Sequence, residues 1–303
     1  MAYIATMDLK LKDLRYLVAV ADQRHFGRAA AQCFVSQPTL SAQLKKLEQS
    51  LGVQLIERAP NNVSLTVTGE QIVARARRIL AATDEVVMLA RSQRDPLAGM
   101  LRVALLPTIG PYLLPHVAPA VRRALPRLEL RLYEYQTEPL LEKLHSGDLD
   151  VGILALPVDL AGLESRELYR EAFTVALPER HPLAARSTVR VSDLKGEKLL
   201  LLEEGHCLRE QALEVCSRVG VRDSQDFRAT SLETLRQMVA TGAGITLLPE
   251  LAGRGAYRNA RGVVLRSFAK PVPVRHIGAV WRKSSARLAA IEALCNLIGE
   301  HAQ

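Results

Sequence analysis

Apolar side chains recur every three or four residues through the first 50 positions, which predicts three short amphipathic helices. The first begins near Leu11, and an alanine-rich second helix spans Gly27 to Phe34. The third begins after Ser36, whose hydroxyl suits a helix N-cap; it has Pro38 in its first turn and ends at Gly52. Its apolar face consists of Leu40, Leu44, Leu47 and Leu51.

The opposite face of the third helix is polar and basic, which suits a helix that enters the major groove of DNA. A hairpin pattern from Val53 to Thr66 follows and predicts a wing, with Asn61 and Asn62 near its turn. An ordinary three-helix bundle with a solvated outer face fits this periodicity equally well. The candidate DNA contacts are Ser36, Gln37, Pro38, Thr39, Ser41, Gln43, Lys45 and, on the wing, Arg58.

A long helix is predicted next, capped by Thr68 and running from Gly69 to about Arg94. At about 1.5 Å per residue it is about 40 Å long, and few neighbouring residues are available to cover its apolar positions. We therefore expect it to pack against the same helix of a second subunit, although a helix lying on its own domain remains open. Pro96 and Gly99 mark a hinge, so the expected domains are 8–66, 67–95 and 99–303.

From Gly99 onward, strand and helix patterns alternate, which is typical of an α/β domain. The order favours two lobes, with a ligand cleft lined by loops at strand ends. Thr108 and Thr137 follow the first two strands and are candidate cleft hydroxyls, although helix capping or turn formation explains their positions equally well. The predicted strands are Leu101–Leu106, Leu128–Tyr133, Val151–Ala155, Phe173–Leu177, Lys198–Leu202, Ile245–Leu248 and Ile277–Trp281.

Composition and charge indicate the cellular location and the kind of partner to expect for such a chain. Of the 303 residues, 48% are hydrophobic and 24% are charged. No uninterrupted apolar run approaches the length of about 20 residues that a helix needs to span a bilayer. Residues 1–12 lack the pattern of an export signal, so we expect a soluble cytoplasmic protein. The net charge is +8, and residues 1–95 carry 13 Lys/Arg against 9 Asp/Glu, so the positive excess is densest in the predicted DNA-binding segment.

The four cysteines are too few and too scattered for the disulfide framework of a secreted protein. Cys33 and Cys295 lie in apolar helical patterns, and we expect both to be structural. Cys207 follows an apolar strand and Gly205, and it begins a helical pattern that runs to Gly220. The positive end of a helix favours the thiolate, which attacks peroxide and becomes a sulfenic acid.

Polar residues near Cys207 extend this hypothesis. His206 and Arg209 are immediate neighbours and Glu210 lies three positions on. A nearby cation lowers the pKa of a thiol, so Cys207 is expected to have a lowered pKa. Thr108, Thr137 and His206 are candidates to hold the peroxide by hydrogen bonds.

Cys216 lies nine positions after Cys207. In an unbroken helix this spacing means about 13.5 Å of rise, whereas a disulfide requires Cα atoms within about 7 Å. A bond between the two cysteines therefore requires the helix to unwind, which would convert an oxidation into a conformational change. Two other interpretations remain open: Cys216 as a core residue, and Cys207 with His206 as metal ligands, although no further ligand pair accompanies them.

The run RHFGRAAAQCFVSQPTLSAQLKKLEQSLGVQLIER, with its S-Q-P-x-L-S element, resembles the winged helix-turn-helix of LysR-type transcriptional regulators. The resemblance implies an α/β fold with an N-terminal winged helix-turn-helix, a long linker helix and a two-lobed regulatory domain like the periplasmic binding proteins. It also implies promoter DNA and RNA polymerase as partners and homodimers that pair into homotetramers.

The stretches LEEGHCLREQALEVC, LPTIGPYLLPH and FRATSLETLRQMVATGAGITLLPELA resemble the peroxide-sensing members of that family over nearly the whole chain. The resemblance implies that Cys207 reacts with hydrogen peroxide and Cys216 resolves it as a disulfide, which activates antioxidant genes. Glu210 departs from the pattern, which usually has Asp there, so its hydrogen-bond geometry is open. The implied partner that reduces the disulfide and restores the two thiols is a dithiol reductant such as glutaredoxin. No cofactor or metal is implied. The implied peroxide network is Thr108, Thr137, His206, Arg209, Glu210 and Arg275.

Three classes of function therefore compete. The first is a transcription regulator switched by a Cys207–Cys216 disulfide. The second is a LysR-type regulator switched by a small organic effector in the cleft, with both cysteines incidental. The third is an enzyme such as a thiol peroxidase, against which the predicted recognition helix argues, because a catalyst does not need one.

Overall fold

The N-terminal part of the chain forms the three helices that its apolar spacing predicts. In the computed structural model, which describes residues 9–59, 62–92, 95–217, 219–220, 222–254 and 261–302, they are α1 (Leu11–Gln23), α2 (Phe26–Gln32) and α3 (Gln37–Leu51). They pack around one small core, and the expected inner face of α3 is confirmed by its burial. This core includes Leu17, Val20, Ala29, Leu40, Leu44 and Leu47.

The caps of α3 lie where the sequence places them. The Ser36 hydroxyl accepts a hydrogen bond from the Thr39 N–H at 3.3 Å, and Gly52 ends the helix in the left-handed region at φ 68°. The second helix ends at Gln32, earlier than expected, because Phe34 takes a left-handed φ of 56° that a helix does not allow. The turn that follows leads directly into α3.

A hairpin and a long helix complete this unit. The antiparallel strands β1 (Ile56–Ala59) and β2 (Asn62–Leu65) precede α4 (Val67–Ser92). The expected Thr68 cap is wrong. Thr66 caps α4 instead, because its hydroxyl accepts a hydrogen bond from the Gly69 N–H at 2.9 Å and donates to the Gln54 carbonyl at 2.8 Å.

The remaining unit, Ser92–Leu144 with Leu149–Gln303, alternates strands and helices. The strands are β3 (Gly99–Leu105), β4 (Leu128–Glu134), β5 (Val151–Leu156), β6 (Leu163–Pro178), β7 (Thr188–Val189), β8 (Lys198–Leu202), β9 (Arg222–Ala229), β10 (Thr246–Pro249), β11 (Val263–Phe268) and β12 (Val274–Arg282). The helices are α5 (Gly110–Ala124), α6 (Thr137–Ser146), α7 (Cys207–Cys216), α8 (Leu232–Ala240) and α9 (Leu288–His301).

These strands form two lobes that share β6. In the first lobe the strand order is β4-β3-β5-β12-β6, and β12 pairs with β6 over Leu163–Ala172. In the second lobe, Phe173–Pro178 of the same strand pairs with β10 and β11, while β8 pairs with β9. The expected α/β class with a two-lobed plan is therefore confirmed.

The chain crosses between the lobes at two adjacent places. One is the middle of β6, where its pairing changes at Phe173. The other is the segment that enters β12, and the Phe173 N–H donates to the Pro273 carbonyl at 2.9 Å between them. Loops at the ends of β3, β4 and β8 and the start of β12 belong to this region.

The sequence underestimates the extent of the sheet. The first half of β6 escapes detection because four consecutive side chains, Glu164 to Glu167, are exposed and polar. Strand β9 was not predicted because its sequence, RDSQDFRA, lacks apolar alternation. Within the described residues, no helix combines the length and apolar character needed to cross a membrane.

We expect Thr66→Ala to lower the free energy of unfolding by about 1 kcal/mol, because it removes the hydroxyl that bonds both Gly69 and Gln54. Thr68→Ala is the matched control, since Thr68 is exposed and its substitution should cost less than about 0.5 kcal/mol. Urea denaturation followed by circular dichroism measures both changes. Equal losses for the two variants would contradict the assignment of the cap.

Candidate functional site

Cys207 is the first residue of α7, directly after the loop that leaves β8. His206 occupies the N-cap position with extended backbone angles, and Gly205 before it has a φ of +88°. A Cβ atom on Gly205 would lie 2.8 Å from the Gln136 Oε1 atom, which a small movement of that side chain would relieve, so the loop needs glycine for its backbone angle. The turn leaves the Cys207 thiol half-buried, near the Thr137 hydroxyl of α6 and the Arg275 charge of β12.

The helix that begins at Cys207 ends at Cys216, so the expectation that it extends to Gly220 is wrong. The Val219 N–H bonds the Cys216 carbonyl at 3.1 Å in a tighter turn, and Gly220 has a φ of +67°. Both cysteines are free thiols at opposite ends of one helix. Their nine-residue separation along an intact helix corresponds to about 13.5 Å of rise, which is too far for a disulfide in this conformation.

A buried ion pair lies at the crossing between the lobes. The Arg275 Nε donates to Glu171 Oε2 at 2.8 Å, and its Nη2 lies 2.7 Å from the same oxygen, with both side chains 2% exposed. Arg275 also donates to Thr108, from Nη1 to the hydroxyl at 3.3 Å and from Nη2 to the carbonyl at 3.0 Å. The other carboxylate oxygen of Glu171 accepts the Leu251 N–H at 2.9 Å. The structure thus brings Thr108 and Arg275 together, as the sequence expectation requires.

The electrostatic surroundings of Cys207 differ from the expectation. Burial raises the pKa of the Cys207 thiol above its ordinary value, and the nearby Glu210 carboxylate adds to this increase. The Arg275 charge, the Thr137 hydroxyl and the Leu208 N–H lower the pKa and offset part of the effect. The expected lowering of the pKa is therefore wrong for this conformation, because desolvation outweighs the helix terminus and the cation.

The cation that acts on the thiol is Arg275, which is distant in sequence, rather than the adjacent Arg209. Arg209 lies in the first turn of α7, and its N–H bonds the His206 carbonyl at 2.8 Å. Glu210 follows it on the exposed side of the same turn. The structure places Arg209 and Glu210 beside the loop that carries Cys207, as expected from their positions in the sequence.

Thr137 begins α6 and supplies a hydroxyl to Cys207. Its Oγ1 atom is buried and has no conventional hydrogen-bond partner among the described residues, yet it is close enough to the sulfur to lower the pKa of the thiol. Such a hydroxyl can donate to a thiolate or to an oxygen bound beside it. Thr137 therefore lies near Cys207, and Thr108 bonds the arginine that acts on it.

His206 is buried, and its Nε2 atom lies 3.8 Å from Glu203 Oε1. Burial lowers the pKa of His206, and the Glu203 and Glu210 carboxylates offset only part of this change. The ring is therefore mainly neutral at pH 7, and a neutral imidazole can accept a proton.

The other thiols lie in different surroundings. Cys216 is 3% exposed, and burial raises its pKa to about 11. Cys295 is buried in α9, where burial likewise raises the pKa to about 11. Burial also raises the pKa of Cys33. Among the described residues, no group of three or more His, Cys, Asp or Glu side chains is arranged to hold a metal ion.

The outer face of α3 is available for contact with another molecule. Gln37, Pro38, Thr39 and Lys45 are exposed, as is Ser36 before the helix, while Ser41 and Gln43 are half-buried. The Ser36 and Thr39 hydroxyls are 2.7 Å apart and bond each other. Arg58 lies on β1, but its side chain is outside the described residues, so its predicted phosphate or minor-groove contact remains a prediction.

Sequence reasoning missed Glu171 and its neighbour Tyr169. Glu171 pairs with Arg275 across β6 and β12, a register that the sequence does not reveal. Tyr169 is 7% exposed, and burial together with the Glu171 charge raises its pKa. The sequence feature that could have pointed to Glu171 is its position, a carboxylate two residues before the apolar run that starts at Phe173.

Comparisons with known proteins match both units. Residues 11–70 match the family model "Bacterial regulatory helix-turn-helix protein, lysR family", and residues 94–303 match "LysR substrate binding domain". A hydrogen peroxide-inducible genes activator from Dickeya chrysanthemi is 46% identical over 295 residues, which cover 97% of this chain and 96% of that protein.

Two solved structures are also similar. A full-length OxyR from Pseudomonas aeruginosa with a cysteine-to-aspartate substitution has 40% identity and a TM-score of 0.80, covering 96% of this chain and 94% of that one. A cysteine-to-serine mutant of OxyR from Corynebacterium glutamicum, described as H2O2-bound, has 35% identity and a TM-score of 0.66. That similarity covers 97% of this chain and 92% of the other.

We expect Thr137→Val to raise the pKa of Cys207 further, because the substitution removes a hydroxyl that stabilises the thiolate. Alkylation of Cys207 by iodoacetamide at pH 7 should slow by about tenfold. Thr137→Ser keeps the hydroxyl and should react at close to the native rate. Peptide mass spectrometry measures the rates, and native reactivity in the valine variant would refute the assigned contact.

Proposed function

We propose that this chain, which belongs to the LysR family of bacterial helix-turn-helix regulators, is a DNA-binding transcription regulator that senses hydrogen peroxide through Cys207 and Cys216. The observation that carries the proposal is the placement of two free thiols at opposite ends of α7. One lies at the cleft beside a buried cation and hydroxyls, and the other is buried in the core. Its similarity to peroxide-inducible gene activators supports the same conclusion.

The first step is the attack of the Cys207 thiolate on one oxygen of hydrogen peroxide. A sulfur–oxygen bond forms, the oxygen–oxygen bond breaks, and the departing hydroxide takes a proton to become water. Because burial raises the pKa of the Cys207 thiol, its proton must leave before the attack, and the neutral ring of His206 is proposed to hold the peroxide by a hydrogen bond. Arg275 and the hydroxyls of Thr108 and Thr137 stabilise the negative charge that moves from sulfur to the departing oxygen.

The second step joins Cys207 to Cys216. The Cys216 thiolate attacks the sulfur of the sulfenic acid, a disulfide forms, and hydroxide leaves and becomes a second water. Two thiols are oxidised and one peroxide is reduced to two waters. Because Cys216 is buried and lies at the far end of α7, this step requires the helix to unwind. The resulting change of the second lobe is the signal, and a dithiol reductant such as glutaredoxin reverses it.

The N-terminal unit delivers the response. The exposed face of α3 from Gln37 to Lys45 enters the major groove of promoter DNA, and the hairpin acts as the wing, with Arg58 as its proposed contact. We propose that the chain binds DNA as an oligomer with α4 as the pairing helix, because Val67, Ile79 and Val86 expose apolar side chains along it. We propose domains 8–66, 67–95 and 99–303, RNA polymerase as the transcriptional partner and the cytoplasm as the place of action.

We expect mild hydrogen peroxide treatment to produce a peptide linked through Cys207 and Cys216, detectable by mass spectrometry. Cys207→Ser should abolish the peroxide response of DNA binding without abolishing binding itself. Cys295→Ser is the matched control, since Cys295 is a buried helical thiol in α9 and should leave the linkage unchanged. Two free thiols together with an unaltered DNA response would instead favour a regulator switched by an organic effector, and sustained peroxide turnover with excess reductant would favour an enzyme.

We expect Lys45→Ala to weaken binding to promoter DNA and to reduce the salt dependence of the binding constant by about one ion, because Lys45 is exposed on α3. Lys283→Ala removes an exposed lysine of the regulatory unit and should leave DNA binding unchanged. Fluorescence anisotropy over a series of salt concentrations measures both variants. An unchanged salt slope for Lys45→Ala would exclude this lysine from the DNA contact.

A further inference from the structure

The ion pair of Arg275 and Glu171 connects four separate segments of the regulatory unit. Arg275 is the second residue of β12, and Glu171 lies near the middle of β6. Thr108 follows β3, and Leu251 lies in the 3₁₀ turn Glu250–Gly253 after β10. A buried guanidinium or carboxylate is costly unless its hydrogen-bonding groups are matched. Here each carboxylate oxygen of Glu171 has its own donor, one from Arg275 and one from Leu251.

This arrangement fixes the orientation of Arg275. Its Nε and Nη2 groups face Glu171, which leaves Nη1 and the second Nη2 hydrogen to face Thr108. Because the Thr108 hydroxyl oxygen accepts from Nη1, its own hydrogen is directed away from the guanidinium and is available to an oxygen in the cleft. The same guanidinium is the cation that acts on Cys207. Glu171 thus contacts the arginine that acts on the thiol.

We propose that Glu171 is a positioning residue for the reaction of Cys207 with peroxide, because it holds the Arg275 guanidinium in the one orientation that serves both Thr108 and the thiol. The inference rests on the proposed function and extends it to a residue that does not touch the reacting atoms. Loss of the Glu171 charge frees Arg275 to turn, so the developing negative charge on the departing oxygen loses aligned donors.

Glu171→Gln tests this proposal with little change in volume. In the variant, an amide nitrogen replaces one carboxylate oxygen and must face either Arg275 or the Leu251 N–H. Because both of these groups are donors, one of the two hydrogen bonds is lost. Glu171→Asp keeps the charge on a shorter side chain and should recover part of the native rate. The matched control is Asp150→Asn, because Asp150 is 2% exposed and its Oδ1 lies 2.8 Å from Arg102 Nη2 in another ion pair of the same unit, although the Arg102 side chain is 25% exposed.

Two rates at Cys207 separate positioning from a general structural effect. Reduced full-length protein is treated in parallel with hydrogen peroxide and with iodoacetamide, and Cys207 modification is followed over time by peptide mass spectrometry across pH 6–9. Alkylation depends on the thiolate alone, whereas oxidation also depends on donors to the departing oxygen. We expect Glu171→Gln to slow oxidation by about tenfold or more and to change alkylation at high pH far less. Asp150→Asn should leave both rates near native.

The inference is overturned if Glu171→Gln oxidises as fast as the native protein, or if its oxidation and alkylation slow equally. It is also overturned if Asp150→Asn produces the same selective loss. If Glu171→Gln does not fold, Glu171→Asp carries the test, and a native ratio of the two rates in that variant refutes the proposal. Failure of the native protein itself to form an oxidised Cys207 would refute the proposed function instead, so the two failures are distinguishable.

Discussion

An intact α-helix holds its two ends at a fixed distance, and in this chain those ends are Cys207 and Cys216. No rotation of side chains brings such thiols within bonding range, because the rise of the helix exceeds the reach of a disulfide. A disulfide between these two thiols would therefore require helical hydrogen bonds of α7 to break. Leu208, Ala212 and Cys216 of this helix are buried against the second lobe, so a change of its backbone also changes the packing of that lobe.

At the start of the same helix, burial and the neighbouring polar groups have opposite effects on the reactivity of the Cys207 thiol. Burial raises the pKa of the Cys207 thiol, which lowers the fraction of the reactive thiolate in this conformation. The Arg275 charge and the Thr137 hydroxyl act against burial and stabilise the thiolate once it forms. Because Glu171 neutralises Arg275, neither charge is buried alone. The net contribution of such a pair to the free energy of unfolding is small. The site thus combines a protected thiol with stabilising groups already in place around it.

The sequence predicted the local features of this structure well. The inner face of α3, the Ser36 cap and the position of Cys207 at a helix start all follow from short-range spacing, and each is present. Boundaries set by backbone angles were less accurate, as the early ends of α2 and α7 show. The direction of the Cys207 pKa was wrong, because burial depends on residues far away in the sequence. Glu171 was missed for the same reason, since its partner lies on a strand more than a hundred positions later.

A single strand, β6, belongs to the sheets of both lobes, and this limits where its length can change. Its pairing with β12 already shifts register between Tyr169 and Glu167, and the side chains alternate between faces on either side of that shift. One further inserted or deleted residue would exchange the two faces over the remainder of the strand. The two halves of the strand pair with different partners, Leu163–Ala172 in the first lobe and Phe173–Pro178 in the second. A change of register in one half would therefore also change the packing of the other lobe. A change of length within β6 would therefore displace Glu171 from Arg275, whereas a change of length in a surface loop would leave this pairing in place.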